Sequence, residues 1–198
     1  YMDYEGSILL NGIELSQIPK ASMLHLFSLM QQDAFLFEEN VQFNISLGNE
    51  DISDEAVMDA AQYVYAHDFI MELPSQYQFQ LSNSGANLSA GQTQLISFAR
   101  AIAQGGQVMM LDEATSSVDS ITEELIQRAI GRLFEDKTVI AIAHRLSTIR
   151  HSDQILVLEK GLVVERGNHQ DLLDINGVYA NLLKDANNIE DDTAVLAV

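Results

Sequence analysis

The chain has 198 residues, 47% of them apolar, a size and composition that suit one domain with a buried core. Ten basic residues against 29 acidic ones give a formal charge of -19, and no Lys or Arg stands between Lys20 and Arg100. Such a surface repels polyanions, so nucleic acid is not an expected partner, and the absence of cysteine rules out disulfides, thiolate metal sites and a thiol nucleophile.

The opening residues, Tyr1-Met2-Asp3-Tyr4-Glu5-Gly6, carry neither the basic flank nor the apolar stretch of a signal peptide, and no apolar run approaches the roughly 18 to 20 residues that cross a bilayer. A first strand is expected at residues 7–10, bracketed by the turn residues Gly6 and Asn11-Gly12, and a second at 26–30. From 52 to about 73 the pattern turns helical, with Val57, Ala60, Ala61, Val64, Phe69 and Ile70 near helical spacing, which reads as a helical insertion spanning about residues 50–105. Another helix opens at Ser89 and runs through Phe98, Arg100 and Ile102. Strands are expected at 108–111 and 138–143, both apolar on alternating faces as in a parallel sheet covered by helices. Two more, at 155–158 and 162–165, flank the tight connection Lys160-Gly161. Residues 185–192 are polar and acidic, and the tail from 185 to 198 is expected to be poorly ordered. The alternation of strands and helices predicts an α/β fold.

Chemistry concentrates at two places. Val108-Met109-Met110-Leu111 ends in Asp112-Glu113, and at the C-terminal edge of a parallel sheet one carboxylate can hold Mg²⁺ through its water shell while the next polarises an attacking water. In isolation such a pair more often caps the next helix. About 20 residues upstream, Ser89 and Gly91 stand at a helix start, where a hydroxyl, a small residue and unpaired N–H groups make an anion site.

Leu88-Ser89-Ala90-Gly91-Gln92 resembles the LSGGQ signature of ABC ATPases, and Met110-Leu111-Asp112-Glu113-Ala114-Thr115-Ser116 resembles their Walker B strand with its catalytic glutamate. Ser117-Val118-Asp119 is similar to the D-loop, Ile142-Ala143-His144-Arg145-Leu146-Ser147-Thr148 to the H-loop, and Met30-Gln31-Gln32-Asp33-Ala34-Phe35-Leu36-Phe37 to the Q-loop. The flanks Gly161-Leu162-Val163-Val164-Glu165-Arg166-Gly167-Asn168-His169 and Gly177-Val178-Tyr179-Ala180 resemble the ending of the exporter branch. Five ordered motifs over about residues 6–183 make chance convergence negligible.

The resemblance implies a P-loop NTPase core with an inserted α-helical subdomain over residues 1–184, and ATP and Mg²⁺ as ligands. It implies that Asp112 and Gln32 serve the metal, that Glu113 acts as general base and that His144 contacts the γ-phosphate. Ser89, Gly91 and Gln92 would bind the γ-phosphate of ATP held by a second nucleotide-binding domain, and Asp119 would bridge the two. The other implied partner is a membrane-spanning domain, with the ATPase on the cytoplasmic face of the plasma membrane and export as the work done.

No segment reads G-x-x-x-x-G-K-[ST], so the Walker A loop is absent from these 198 residues. The resemblance aligns residues 1–12 just after the Walker A helix, which implies a sequence truncated before that loop and inactive as an ATPase on its own. It also places a central strand ahead of the loop, whose absence is expected to leave sheet edges open. Ala90 replaces a signature glycine, Thr93 stands where Arg or Lys is common, and Asn83 stands where exporters carry a glutamate, which bears on coupling. Two other readings are an inert or non-hydrolysing partner and a soluble ABC ATPase of the DNA-repair class. The second needs long coiled coils between Q-loop and signature, and only about 55 residues intervene here with no sustained heptads.

Overall fold

The computed structural model describes residues 4–31, 34–82, 85–112, 119–143, 149–184 and 193–197. Asn11-Gly12, both at positive φ, close a small antiparallel hairpin of β1 (Leu9–Leu10) and β2 (Ile13–Glu14), so the first expected strand is shorter than the sequence pattern implies and pairs locally. Then follow α1 (Lys20–Leu26) and β3 (Phe27–Met30). Helix α2 (Val41–Ser46) starts on an Asn40 cap whose side chain accepts from Phe43 N–H at 2.7 Å.

The helical stretch expected over residues 52–73 is two helices, α3 (Asp54–Tyr63) and α4 (His67–Glu72). The chain breaks at Tyr65, whose φ of 62° lies in the left-handed region that ends helices. Helix α5 (Ala90–Ala103) buries Leu95, Ile96, Phe98 and Ala99 and packs on α2, α3 and β3. A turn through Gly105-Gly106 leads into β4 (Val108–Asp112). Gly106 is required there, since a Cβ on it would sit 2.6 Å from the backbone nitrogen of Ser28.

Helix α6 (Ser120–Asp136) begins on Asp119, whose carboxylate accepts from Thr122 N–H at 3.0 Å. That N–H holds the Asp119 carboxyl below the usual carboxylate range. After α6 come β5 (Thr138–Ala143), β6 (Ile155–Glu159) and β7 (Leu162–Gly167), then α7 (His169–Ile175) and α8 (Val178–Lys184). The Glu165 carboxylate caps α8, accepting from the N–H groups of Val178 and Tyr179 at 2.5 and 2.9 Å.

The strands from β3 to β5 run parallel in the order β3-β4-β5, with Met30 opposite Leu111 and Asp112 opposite Ile142. One face of this trio, formed by Met109, Leu111, Val139 and Ala141, shares a core with α5 and α6. The other is only partly covered, with Met110 and Ile140 half-buried and Ile142 39% exposed, so the expected two-sided cover of these strands is met on one side only.

The tail differs from expectation. Residues 185–192 lie outside the described residues, but Thr193–Ala197 form β8, which inserts antiparallel between β5 and β6 to give a six-stranded sheet β3-β4-β5-β8-β6-β7. Sheet edges were expected to stand open, and at β5 the edge away from β4 is paired with β8. The physical reason is visible in Thr193-Ala194-Val195-Leu196-Ala197: it carries no charge, and Val195 and Ala197 are fully buried.

Two outcomes follow. Val195→Asp, which places a carboxylate in the sheet interior, is expected to destabilise by about 3 kcal/mol or more, whereas an Asp at half-buried Leu196 costs much less; thermal and urea unfolding compare them. The depressed Asp119 carboxyl contributes stability that is complete above the unfolded value of about 3.9 and is lost as pH falls through the lower folded pKa. Asp119→Asn, which keeps a cap acceptor but cannot titrate, is therefore expected to lose that component of the acid limb in circular-dichroism titrations.

Candidate functional site

The start of α5 is built by a reciprocal capping box. Ser89 Oγ accepts from Gln92 N–H at 3.2 Å, and the Gln92 side-chain oxygen accepts from Ser89 N–H at 3.0 Å. Thr93 N–H donates to the Ser89 carbonyl at 3.0 Å, and among the described residues the N–H groups of Ala90 and Gly91 are the open donors of the first turn. Ser89 is exposed and its hydroxyl proton remains free to donate, so the cap and an anion contact are compatible. The methyl group of Ala90 is exposed, while Gly91 is buried. The structure thus brings Ser89, Gly91 and Gln92 together at one helix end, an arrangement suited to a phosphate.

A second group is set by the sheet. Strands β3, β4 and β5 end side by side at Met30, Asp112 and Ala143, and the half-buried Asp112 sits on that C-terminal edge. Gln32, Glu113 and His144 follow these three strands within two residues and lie outside the described residues. Asp119 is exposed at the start of α6 and occupied by its cap. Among the described residues no hydrogen bond joins Ser89, Gly91 or Gln92 to Asp112 or Asp119.

Asp112 offers a carboxylate oxygen at the strand edge, the hard donor type that Mg²⁺ takes alongside waters and substrate phosphates. The apolar recess of about 530 Å³ lined by Leu10, Ile13, Ile18, Leu26 and Val108 opens where β4 and β5 begin, at the other end of the sheet from Asp112. Position and lining both separate it from the phosphate-binding features.

Sequence reasoning missed a polar network joining α5 to the segment after Gln32. Arg100 donates from Nε to the Asn44 carbonyl at 2.7 Å, from Nη1 to the Phe35 carbonyl at 2.8 Å and from Nη2 to Asn44 Oδ1 at 3.1 Å. Its guanidinium lies 5.7 Å from the Phe37 ring centre, and burial lowers its pKa. Asn44, fully buried in α2, accepts from Phe37 N–H at 2.7 Å and donates to the carbonyls of Phe37 and Asn40, each at 3.0 Å. The available signal was Arg100 itself, the first cation after Lys20, set among the apolar positions of α5.

Known proteins resemble this chain in sequence and fold. The ABC transporter family profile matches residues 1–116. An ATP-dependent lipid A-core flippase of Saccharophagus degradans is 43% identical over 182 residues, covering 92% of this chain and 31% of the relative. An uncharacterised ABC transporter ATP-binding protein of Bacillus subtilis is 45% identical over 179 residues, covering 90% of this chain and 30% of the relative. The solved structure of a bacterial Atm1-family ABC exporter with ATP bound superposes with a TM-score of 0.83 at 34% identity, over 95% of this chain and 33% of that one. The chain therefore spans about a third of the length of the relatives it matches. With the signature-like helix start, the carboxylate-tipped parallel strand and a family match over more than half its length, the chain belongs to the ABC transporter family, in its ATP-binding part.

Proposed function

We propose that this chain works as the nucleotide-binding domain of an ABC exporter, hydrolysing ATP to drive a substrate out across a membrane. The observation that carries the reading is the parallel register of β3, β4 and β5, which ends three strands on one sheet edge immediately before Gln32, Glu113 and His144. Asp112 and Gln32 would hold Mg²⁺, which when bound supplies positive charge against the β- and γ-phosphate oxygens. Glu113 would accept a proton from, or orient, the attacking water, and His144 would hold the γ-phosphate in line with it.

The open N–H groups at the start of α5, with Ser89 and Gln92, would meet the γ-phosphate of ATP carried by a second nucleotide-binding domain. Asp119 would lie between the two domains, which makes dimerisation part of the mechanism. Export is favoured by the relatives, which include a lipid A-core flippase and an Atm1-family exporter. A membrane-spanning domain is the other partner, with this chain on the cytoplasmic face; none of its described helices is long and apolar enough to cross a membrane. Residues 1–184 would form the nucleotide-binding domain, with residues 50–105 as its helical subdomain.

In a chain that joins this segment to a phosphate-binding loop, Glu113→Gln is expected to retain ATP binding, to lower turnover by about a hundredfold or more and to let an ATP-bound dimer accumulate. Hydrolysis at the parental rate would refute the role given to Glu113. The 198 residues alone, lacking the loop's lysine and its nest of N–H groups, are expected to show no steady phosphate release and at most weak Mg-ATP binding by isothermal titration. Micromolar affinity would mean that another segment replaces the loop.

A further inference from the structure

The contacts of Arg100 touch none of the residues read as binding phosphate, yet they tie the helix that carries the signature-like start to the segment after Gln32. Ser89 and Arg100 are 11 residues apart on one helix, about three turns, so both lie on the same side of α5. One end of that side carries the signature-like start. At the other, Arg100 reaches across to Phe35 and Asn44, and Phe35 is three residues beyond Gln32. Asn44 completes the hold by bonding both the N–H and the carbonyl of Phe37.

The oxygens that Arg100 reaches among the described residues all belong to neutral groups, two of them backbone carbonyls. A cation drawn into a partly buried place to serve carbonyls fixes backbone position rather than neutralising charge. Lysine is a poor substitute, because its three donors share one nitrogen, whereas the planar fork serves these oxygens from three nitrogens. Phe37, 42% exposed, also meets the Phe35 and Phe43 rings edge to face, so the latch adds directed bonds to an apolar contact.

We propose that Arg100 and Asn44 form a latch that fixes the segment after Gln32 to the signature helix, and that Arg100 is thereby a positioning residue for Gln32 in ATP hydrolysis. The proposal rests on the reading of Gln32 as a group that serves the metal and nucleotide. If α5 shifts when its start engages a phosphate, the segment holding Phe35 and Phe37 shifts with it. Without the latch the backbone at Phe35 and Phe37 is tied to α5 less firmly, and on the proposed reading Gln32, three residues before Phe35, loses part of its positioning.

Two measurements test this. Hydrogen exchange on the chain with Arg100→Met is expected to accelerate at the amide of Phe37 by about tenfold or more, with protection in β4 and β5 retained. Arg100→Lys, the milder change, is expected to behave like Met rather than like the parent. Unchanged exchange at Phe37 in both variants would overturn the latch, and this result does not depend on any ATPase activity.

The second measurement uses the full transporter. Arg100→Lys is expected to lower kcat by about tenfold, to leave KM for ATP nearly unchanged and to raise the Mg²⁺ concentration needed for half-maximal rate. In a Gln32→Ala background the same substitution is expected to add little, because its effect passes through Gln32. Full additivity of the two losses would overturn the positioning role. If Gln32→Ala alone leaves kcat and Mg²⁺ dependence untouched while Phe37 exchange still responds to Arg100, the reading of Gln32 has failed and the positioning role falls with it, whereas the latch as structure stands.

Discussion

The burial of α5 is the constraint on which the other parts depend. Its apolar positions Leu95, Ile96, Phe98 and Ala99 are fully out of water, and each large one contributes about 1.5 to 3 kcal/mol relative to exposure. The helix touches α2 and α3 on one side, β3 beneath it and α6 beside it, so its position sets the spacing of all four. Because the core fixes the axis and the Ser89–Gln92 box fixes the first turn, the open N–H groups of Ala90 and Gly91 are held in place before any ligand arrives. The same rigidity explains why a polar residue can be tolerated three turns along: Arg100 leaves the apolar face where α2 offers it oxygens.

The strands of the site are set by a different force. Parallel pairing of β3, β4 and β5 is local to no segment, since Met30 and Leu111 are far apart in sequence, and it depends on close backbone approach at Gly106 and on the covered face of Met109 and Val139. Strand β8 then joins this trio to the β6–β7 hairpin, because β5 and β6 each pair with β8 on one side. Six strands therefore act as one sheet only through a segment that follows a run of acidic residues.

Much of this was legible in the sequence. The strand at Thr138–Ala143 coincides with its apolar run, and β3, β4, β6 and β7 depart from expectation by two residues at most at either end, because short apolar clusters mark each of them. The helix opening at Ser89 was readable from its cap. Periodicity carried across Tyr65 did not reveal the break between α3 and α4, since the left-handed turn there is made by a tyrosine rather than by glycine. Strand β8 was obscured by the acids before it, whose composition outweighed five uncharged residues. The Arg100–Asn44 pair joins positions 56 residues apart, and no local pattern announces such a contact.

Charge explains what the site requires from elsewhere. Five of the chain's ten basic residues are committed: Arg100 to Asn44 and Phe35, Arg128 and Arg132 to the rings of Tyr65 and Tyr63, Lys137 to the Gly106 carbonyl and Lys184 to Asn176. None of these contacts lies at the C-terminal edge where Asp112 ends β4. A triphosphate approaching that edge would meet the Asp112 carboxylate, and at close range like charges cost several kcal/mol unless a cation intervenes. Ordered N–H groups at a helix start carry only about half an elementary charge and cannot balance that repulsion alone. On the proposed reading, tight binding of a triphosphate at this edge would need a divalent metal on Asp112 and a further cation with a nest of N–H groups, the chemistry that a G-x-x-x-x-G-K-[ST] loop supplies.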